Sequence, residues 1–139
     1  MPEPPPFSPT VMLLTLARVW ETTLTESLKP LGLTTRKYGL LGHVRGTPGI
    51  SFSELARRSR ITVQSTHTAV AALVDAGFVD DGTAHAGSAS SLRVTAEGES
   101  LLTRAADVLG RLDAEFGARH PDLAEALRAH RARAVSEPG

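Results

Sequence analysis

Residues Ser51–Asp81 read SFSELARRSRITVQSTHTAVAALVDAGFVDD, and this stretch decides the fold. Ser51-Phe52-Ser53-Glu54 fits a capping box, Ser-x-x-Glu, in which each side chain satisfies a free backbone N–H at a helix start. The helix it opens runs through Leu55 and Ala56 to about Ser59, and Arg58-Ser59-Arg60-Ile61 joins it to a second helix. Thr62 caps that second helix, which spans about 63–76 and turns Val63, Thr66, Val70, Leu73 and Val74 inward. Gly77 stops it, as a glycine just past the last turn does, and Phe78-Val79-Asp80-Asp81 starts a short strand. Two short helices joined by a tight turn, with a hairpin behind them, make the layout of a winged helix-turn-helix. The first helix braces the second, and the major groove of DNA, about 12 Å wide, admits one helix.

Downstream, Gly82–Ser91 is small, polar and glycine-bearing, a loop, and Leu92-Arg93-Val94 alternates as a returning strand does. Thr95 caps a long helix with Gly98, Leu101, Leu102, Ala105, Val108, Leu109, Leu112 and Phe116 on one stripe. Gly117 to Pro121 breaks it, and a last short helix follows from Pro121 to about Arg133. Upstream, Gly46-Thr47-Pro48-Gly49 is a turn. Thr34 or Thr35 caps a helix that reaches about Val44 with Leu40, Leu41 and Val44 inward. Ser8-Pro9 starts a further helix, whose apolar positions Leu13, Leu16, Ala17, Trp20, Leu24, Leu28 and Leu31 follow steps of three and four; Lys29-Pro30 and Gly32 end it. The reading is mainly α with a small two-stranded β wing. Residues 1–8 form a disordered proline-rich tail, 9–30 and 95–133 flank a winged helix-turn-helix over 34–94, and 134–139 fray.

Composition narrows the function. With 41% hydrophobic and 22% charged residues the chain has an ordinary globular balance, and it contains no cysteine. That removes disulfides, thiol redox sensing, thiolate zinc sites and cysteine nucleophiles together. No run is apolar enough for a membrane span, and the start of the chain has neither the basic nor the apolar region of a signal peptide, so a cytoplasmic location is expected. The five histidines are scattered, at no spacing that suits a metal or a catalytic pair, so neither an enzyme nor a metal or other cofactor is expected. The formal net charge is zero, but its distribution is uneven. Arg36, Lys37, Arg45, Arg57, Arg58 and Arg60 face only Glu54 between residues 36 and 68, and an acidic segment follows from 70 to 100. A basic middle suits a polyanionic partner. On the exposed face of the second helix stand Gln64, Ser65, His67 and Thr68, in the half that reaches base edges in this motif.

At these residues the chain resembles the MarR family of bacterial regulators. The matching runs are Leu31-Gly32-Leu33-Thr34, Phe52-Ser53-Glu54-Leu55-Ala56, Leu73 with Gly77-Phe78-Val79, and Leu92-Arg93-Val94-Thr95-Ala96-Glu97-Gly98. The resemblance implies a homodimer whose first and last two helices intertwine, with a winged domain on each side. It implies a repressor of a pseudo-palindromic operator on double-stranded DNA, with Gln64, Ser65, His67 and Thr68 reading bases. Arg36, Lys37, Arg57, Arg58, Arg60 and Thr62 are then the phosphate contacts. It also implies an effector pocket for a small aromatic ligand, for which Trp20 and His43 are the candidates. The chain departs from the family in its wing, which carries His85 but no Arg or Lys over 82–91, and in its recognition helix, where Thr68 and Ala72 stand in place of arginine. The uncharged wing supports one rival: a winged-helix dimer that has lost DNA binding and acts through a protein partner.

Overall fold

The computed structural model describes residues 2–82 and 91–136. Its elements are α1 (Pro9–Leu28), a 3-10 turn (Lys29–Leu31), α2 (Thr35–Gly46), α3 (Phe52–Ser59), α4 (Val63–Asp75), β1 (Val79–Asp80), β2 (Arg93–Val94), α5 (Ala96–Arg119) and α6 (Pro121–Ser136). The chain divides into two compact units, one up to Ala105 and one from Ala106 onward.

Local chemistry sets most boundaries in the first unit. The hydroxyl of Ser8 accepts the Val11 N–H at 3.3 Å and Pro9 stands at the first helical position of α1. The Thr34 hydroxyl accepts the Lys37 N–H at 3.1 Å, so Thr34 and not Thr35 caps α2. Gly32 and Gly77, with φ of 71° and 85°, take the left-handed turns that follow the 3-10 turn and α4. The core joins Leu28 of α1, Leu40, Leu41 and Val44 of α2, Leu55 of α3, Val70 and Leu73 of α4, and Leu101 and Ala105 of α5, all buried. Burial of each large side chain contributes about 1.5–3 kcal/mol.

The hairpin is minimal. β1 pairs antiparallel with β2, Val79 opposite Val94 and Asp80 opposite Arg93. A third segment, absent from the sequence reading, closes the sheet: Ile50 bridges Leu92, and the Gly49 N–H donates to the Leu92 carbonyl at 2.8 Å. Both Ile50 and Leu92 are buried, so the wing is anchored to the segment that enters α3.

Three expectations change. Val63 does not face inward; it is 45% exposed. It stands at the first helical position of α4, about 60° round the helix from Thr66, whose line continues through Val70 and Leu73. The break expected over residues 117–121 falls at the end of that span: Gly117 stays helical and α5 runs on to Arg119. One glycine costs a helix only about 1 kcal/mol against alanine, and the break falls at His120-Pro121, where proline opens α6. Finally, α6 continues to Ser136, beyond the expected fraying at 134, through an alanine- and arginine-rich run of high helix propensity.

The second unit holds the end of α5 and α6. Arg119 pairs with Glu115 at 2.8 Å, Arg128 with Glu125 at 2.6 Å, and the rings of Phe116 and His120 meet at 5.4 Å. No described side chain from 106 to 133 is buried, so these helices have no core of their own among the described residues.

Candidate nucleic-acid interface

The helix-turn-helix is built by caps and by one acidic residue. The Ser51 hydroxyl accepts the Glu54 N–H at 3.1 Å, the first half of the expected capping box. The return half is replaced. Glu54 turns its carboxylate to Arg57 and Arg58, accepting from the Nε of each at 2.9 Å. Arg58 also donates through Nη1 to Thr47 Oγ1 at 2.8 Å, which ties α3 to the turn after α2. A doubly charged partner outcompetes a single neutral N–H for an ionised carboxylate. Hydrogen bonds from Arg57 and then Arg58 hold the Glu54 carboxyl at about 2, well below its ordinary 4.5, and the same bond raises Arg57. Of the basic residues in this helix, then, two share one compensating carboxylate.

Arg60 caps α3 with φ of 56°, a left-handed residue where glycine is usual. The Ile61 N–H reaches back to the Ala56 carbonyl at 3.2 Å, which turns the chain into α4. There the Thr62 hydroxyl accepts the Ser65 N–H at 3.0 Å and donates to Ser65 Oγ at 2.9 Å. Thr66 is fully buried, and its hydroxyl donates to the Thr62 carbonyl at 2.9 Å, so this polar group enters the core satisfied.

The opposite face of α4 is open. Gln64, His67 and Thr68 are exposed and Ser65 is half-buried. Thr68 donates to the Gln64 carbonyl at 3.1 Å, which leaves its oxygen free to accept. His67 stacks on Phe52, with ring centroids 3.9 Å apart and planes 15° from parallel. Arg36 of α2 joins Thr62, Gln64, Ser65, Thr68 and Ala69 around a shallow cleft of about 460 Å³. The structure thus gathers Gln64, Ser65, Thr68, Thr62 and Arg36 at one place. Arg57, Arg58 and Arg60 lie on α3 and its exit, all exposed, and Lys37 is half-buried on α2. His85 falls outside the described residues.

A second cleft, about 430 Å³, lies between α1, α2 and α3 and is lined by Glu21, Arg36, Leu40, His43, Arg58 and Ser59 among others. His43 is on its wall; Trp20 is not, because its neighbour Glu21 takes that position and successive helical residues diverge by about 100°. Among the described residues, Ser59 Oγ is the buried side-chain polar atom without a hydrogen-bond partner.

Four residues here escaped the sequence reading. Thr47 lay in a turn, and nothing local marks it as a partner of Arg58. Ser59 gave no signal, being one serine in a basic run. Phe52 belongs in sequence to the cap and to a family-matching run, although an aromatic in the first turn of a helix does invite a search for a ring partner. Arg93 enters the sequence reading as part of the returning strand and not as a site residue; it is exposed at the base of the wing beside Gly49.

Comparison with known proteins settles the family. The family model described as MarR family matches residues 31–85. The HTH-type transcriptional repressor Rv2887 of Mycobacterium tuberculosis is 35% identical over 113 residues, which span 78% of each chain. The chain belongs to the MarR family. It is a winged helix-turn-helix transcriptional regulator. A solved structure of Rv2887 in complex with DNA matches with a TM-score of 0.78 and 26% identity, over 95% of this chain and all of that one (100%). Rv2887 in complex with salicylic acid matches with a TM-score of 0.74 and 30% identity, over 92% and 97% of the two chains. The MarR fold explains why α4 keeps one polar face clear: the winged helix-turn-helix buries the other face against α2 and α3. Among the described residues, no group of three or more acidic or histidine side chains stands ready to hold a metal, and no helix is long and apolar enough to cross a membrane.

Proposed function

We propose that this chain is a cytoplasmic, homodimeric repressor of a pseudo-palindromic operator, released by a small aromatic acid. The observation that carries the reading is the open polar face of α4. Gln64, Ser65 and Thr68 stand there beside Arg36, on a fold shared with a relative solved on DNA. In this reading Gln64, Ser65, His67 and Thr68 contact base edges. Arg36, Lys37, Arg57, Arg58, Arg60 and Thr62 hold phosphates, and Gln64 is the residue suited to bidentate pairing with adenine. The two recognition helices of a dimer enter successive major grooves about 34–36 Å apart. The reading assigns no catalysis, in keeping with a family of transcriptional regulators.

Residues 9–30 and 95–136 carry the dimerisation helices of this proposal, flanking the winged domain 34–94, with 1–8 as a tail. Exposed apolar side chains support it: Val11, Leu13, Leu14 and Val19 on α1 and Leu127 on α6, with Leu13 at 59%. Apolar surface of that extent on single helices marks an association face. The cleft lined by His43, Arg58 and Ser59 is where we place the effector. The guanidinium groups of Arg36 and Arg58 and an unpartnered hydroxyl suit a carboxylate on a flat ring, the chemistry of the salicylic acid bound by Rv2887.

Fluorescence anisotropy on random duplex at rising salt tests the proposal. Affinity should fall steeply with salt, since bound phosphates release counterions. A flat response would transfer the α4 face to a protein partner.

A further inference from the structure

We propose that Phe52 is a positioning residue for DNA readout: its ring holds the His67 imidazole flat so that the edge of the imidazole is presented to one base pair. The inference rests on the reading of α4 as the recognition helix. Phe52 is the first residue of α3 and His67 the fifth of α4, so the stack joins the bracing helix to the reading helix. The rings lie 3.9 Å apart at 15°, a face-to-face contact. Such a contact occupies the face of the imidazole, while both nitrogens lie in the ring plane and stay open to donate or accept. Phe52 is itself half-buried and seated directly after the Ser51 cap, whereas His67 is exposed. The fixed ring therefore restrains the mobile one. An unrestrained surface histidine samples several rotamers and loses that freedom on binding; a stacked one has already lost it.

Aromatic geometry, and not apolar bulk, is what the role requires. Phe52→Leu keeps an apolar residue but removes the flat face, and Phe52→Tyr keeps the face. The experiment compares both with His67→Ala by measuring affinity for a selected operator and for the same duplex substituted at each base pair in turn. Phe52→Leu should reduce discrimination at the base pair that His67→Ala also relaxes, by about three- to tenfold, the scale of one aromatic contact. Affinity for random duplex should stay within about twofold, because phosphate contacts are untouched. Phe52→Tyr should restore discrimination. Proton NMR of the unsubstituted protein gives a second readout that needs no variant: the Phe52 ring current should move the His67 ring protons upfield. Unshifted His67 resonances would overturn the proposal. So would full discrimination in Phe52→Leu where His67→Ala loses it. If His67→Ala also changes nothing, the assignment of His67 as a base reader falls together with the proposal.

Discussion

The Thr95 hydroxyl donates to the Gly77 carbonyl at 2.6 Å and accepts the Gly98 N–H at 3.1 Å. One side chain thus closes the exit of α4 onto the entrance of α5, and the Thr95 N–H adds a bond to the Phe78 carbonyl at 3.0 Å. The wing leaves and returns through this clasp. Gly98 makes the approach close enough. A Cβ there would meet the Phe78 carbonyl oxygen and lie 2.6 Å from Val94 Cγ1.

Gly98→Ala should therefore destabilise the fold by about 1–3 kcal/mol, since the obstacle is backbone and cannot swing away. Gly110→Ala is the control: it is also helical but has open space around it, and should stabilise by up to about 1 kcal/mol. Opposite shifts of the two thermal midpoints are expected.

The Glu54 cluster makes a pH prediction. Its carboxyl titrates at about 2 in the fold, against an ordinary 4.5. A depressed carboxyl contributes stability that is fully present above 4.5 and is lost as pH falls toward 2. Denaturation of the unsubstituted protein and Glu54→Gln should differ by a constant amount above pH 5 and converge below it. A gap that widened in acid would contradict the ion pairs. The group is solvent-exposed, so the gap should also shrink in high salt.

Salt dependence separates the arginines. Arg36 lies at the α4 cleft with no ion pair among the described residues, whereas Arg57 and Arg58 share Glu54. Arg36→Ala should reduce the slope of log affinity against log salt by about one ion, and Arg58→Ala by less. Gln64→Ala should leave the slope alone, cost about 1–3 kcal/mol on the best operator and relax one base pair.

Association should hold the apolar helices together. Sedimentation at micromolar concentration is expected to give about twice 14.7 kDa, and Leu13→Glu with Leu14→Glu to give the monomer. A monomeric unsubstituted protein would remove the two-fold reading of the operator.

Ser59 tests the effector cleft. Its hydroxyl is buried and unpartnered, so Ser59→Ala should leave stability unchanged or raise it slightly. The same change, and His43→Ala, should weaken binding of salicylate read by Trp20 emission, since Trp20 adjoins Glu21 on the wall of the cleft. Unaltered salicylate affinity in both would place the effector elsewhere.

The helix starts were legible because capping is local. Ser8, Thr34, Ser51, Thr62 and Thr95 each accept an N–H three residues on, a bond that sequence spacing alone can announce. The buried stripe of α2 was legible for the same reason, as a period of three and four. The order of elements then sufficed for the winged helix-turn-helix, and the polar side of α4 for its candidate readers.

What the tertiary structure alone decided involves partners distant in sequence or several partners competing for one group. Ile50 found Leu92 across the wing, Arg58 found Thr47 across a turn, and Phe52 found His67 across two helices. Glu54 had a backbone N–H and two guanidinium groups within reach, and charge decided for the arginines. Gly98 stands in sequence simply as one position of the α5 stripe, and only the Phe78 carbonyl beside it in the fold shows why no Cβ fits there. Spacing records which groups a chain carries and where its turns fall, but the choice among distant partners is made by packing, which brings only some of them within bonding distance.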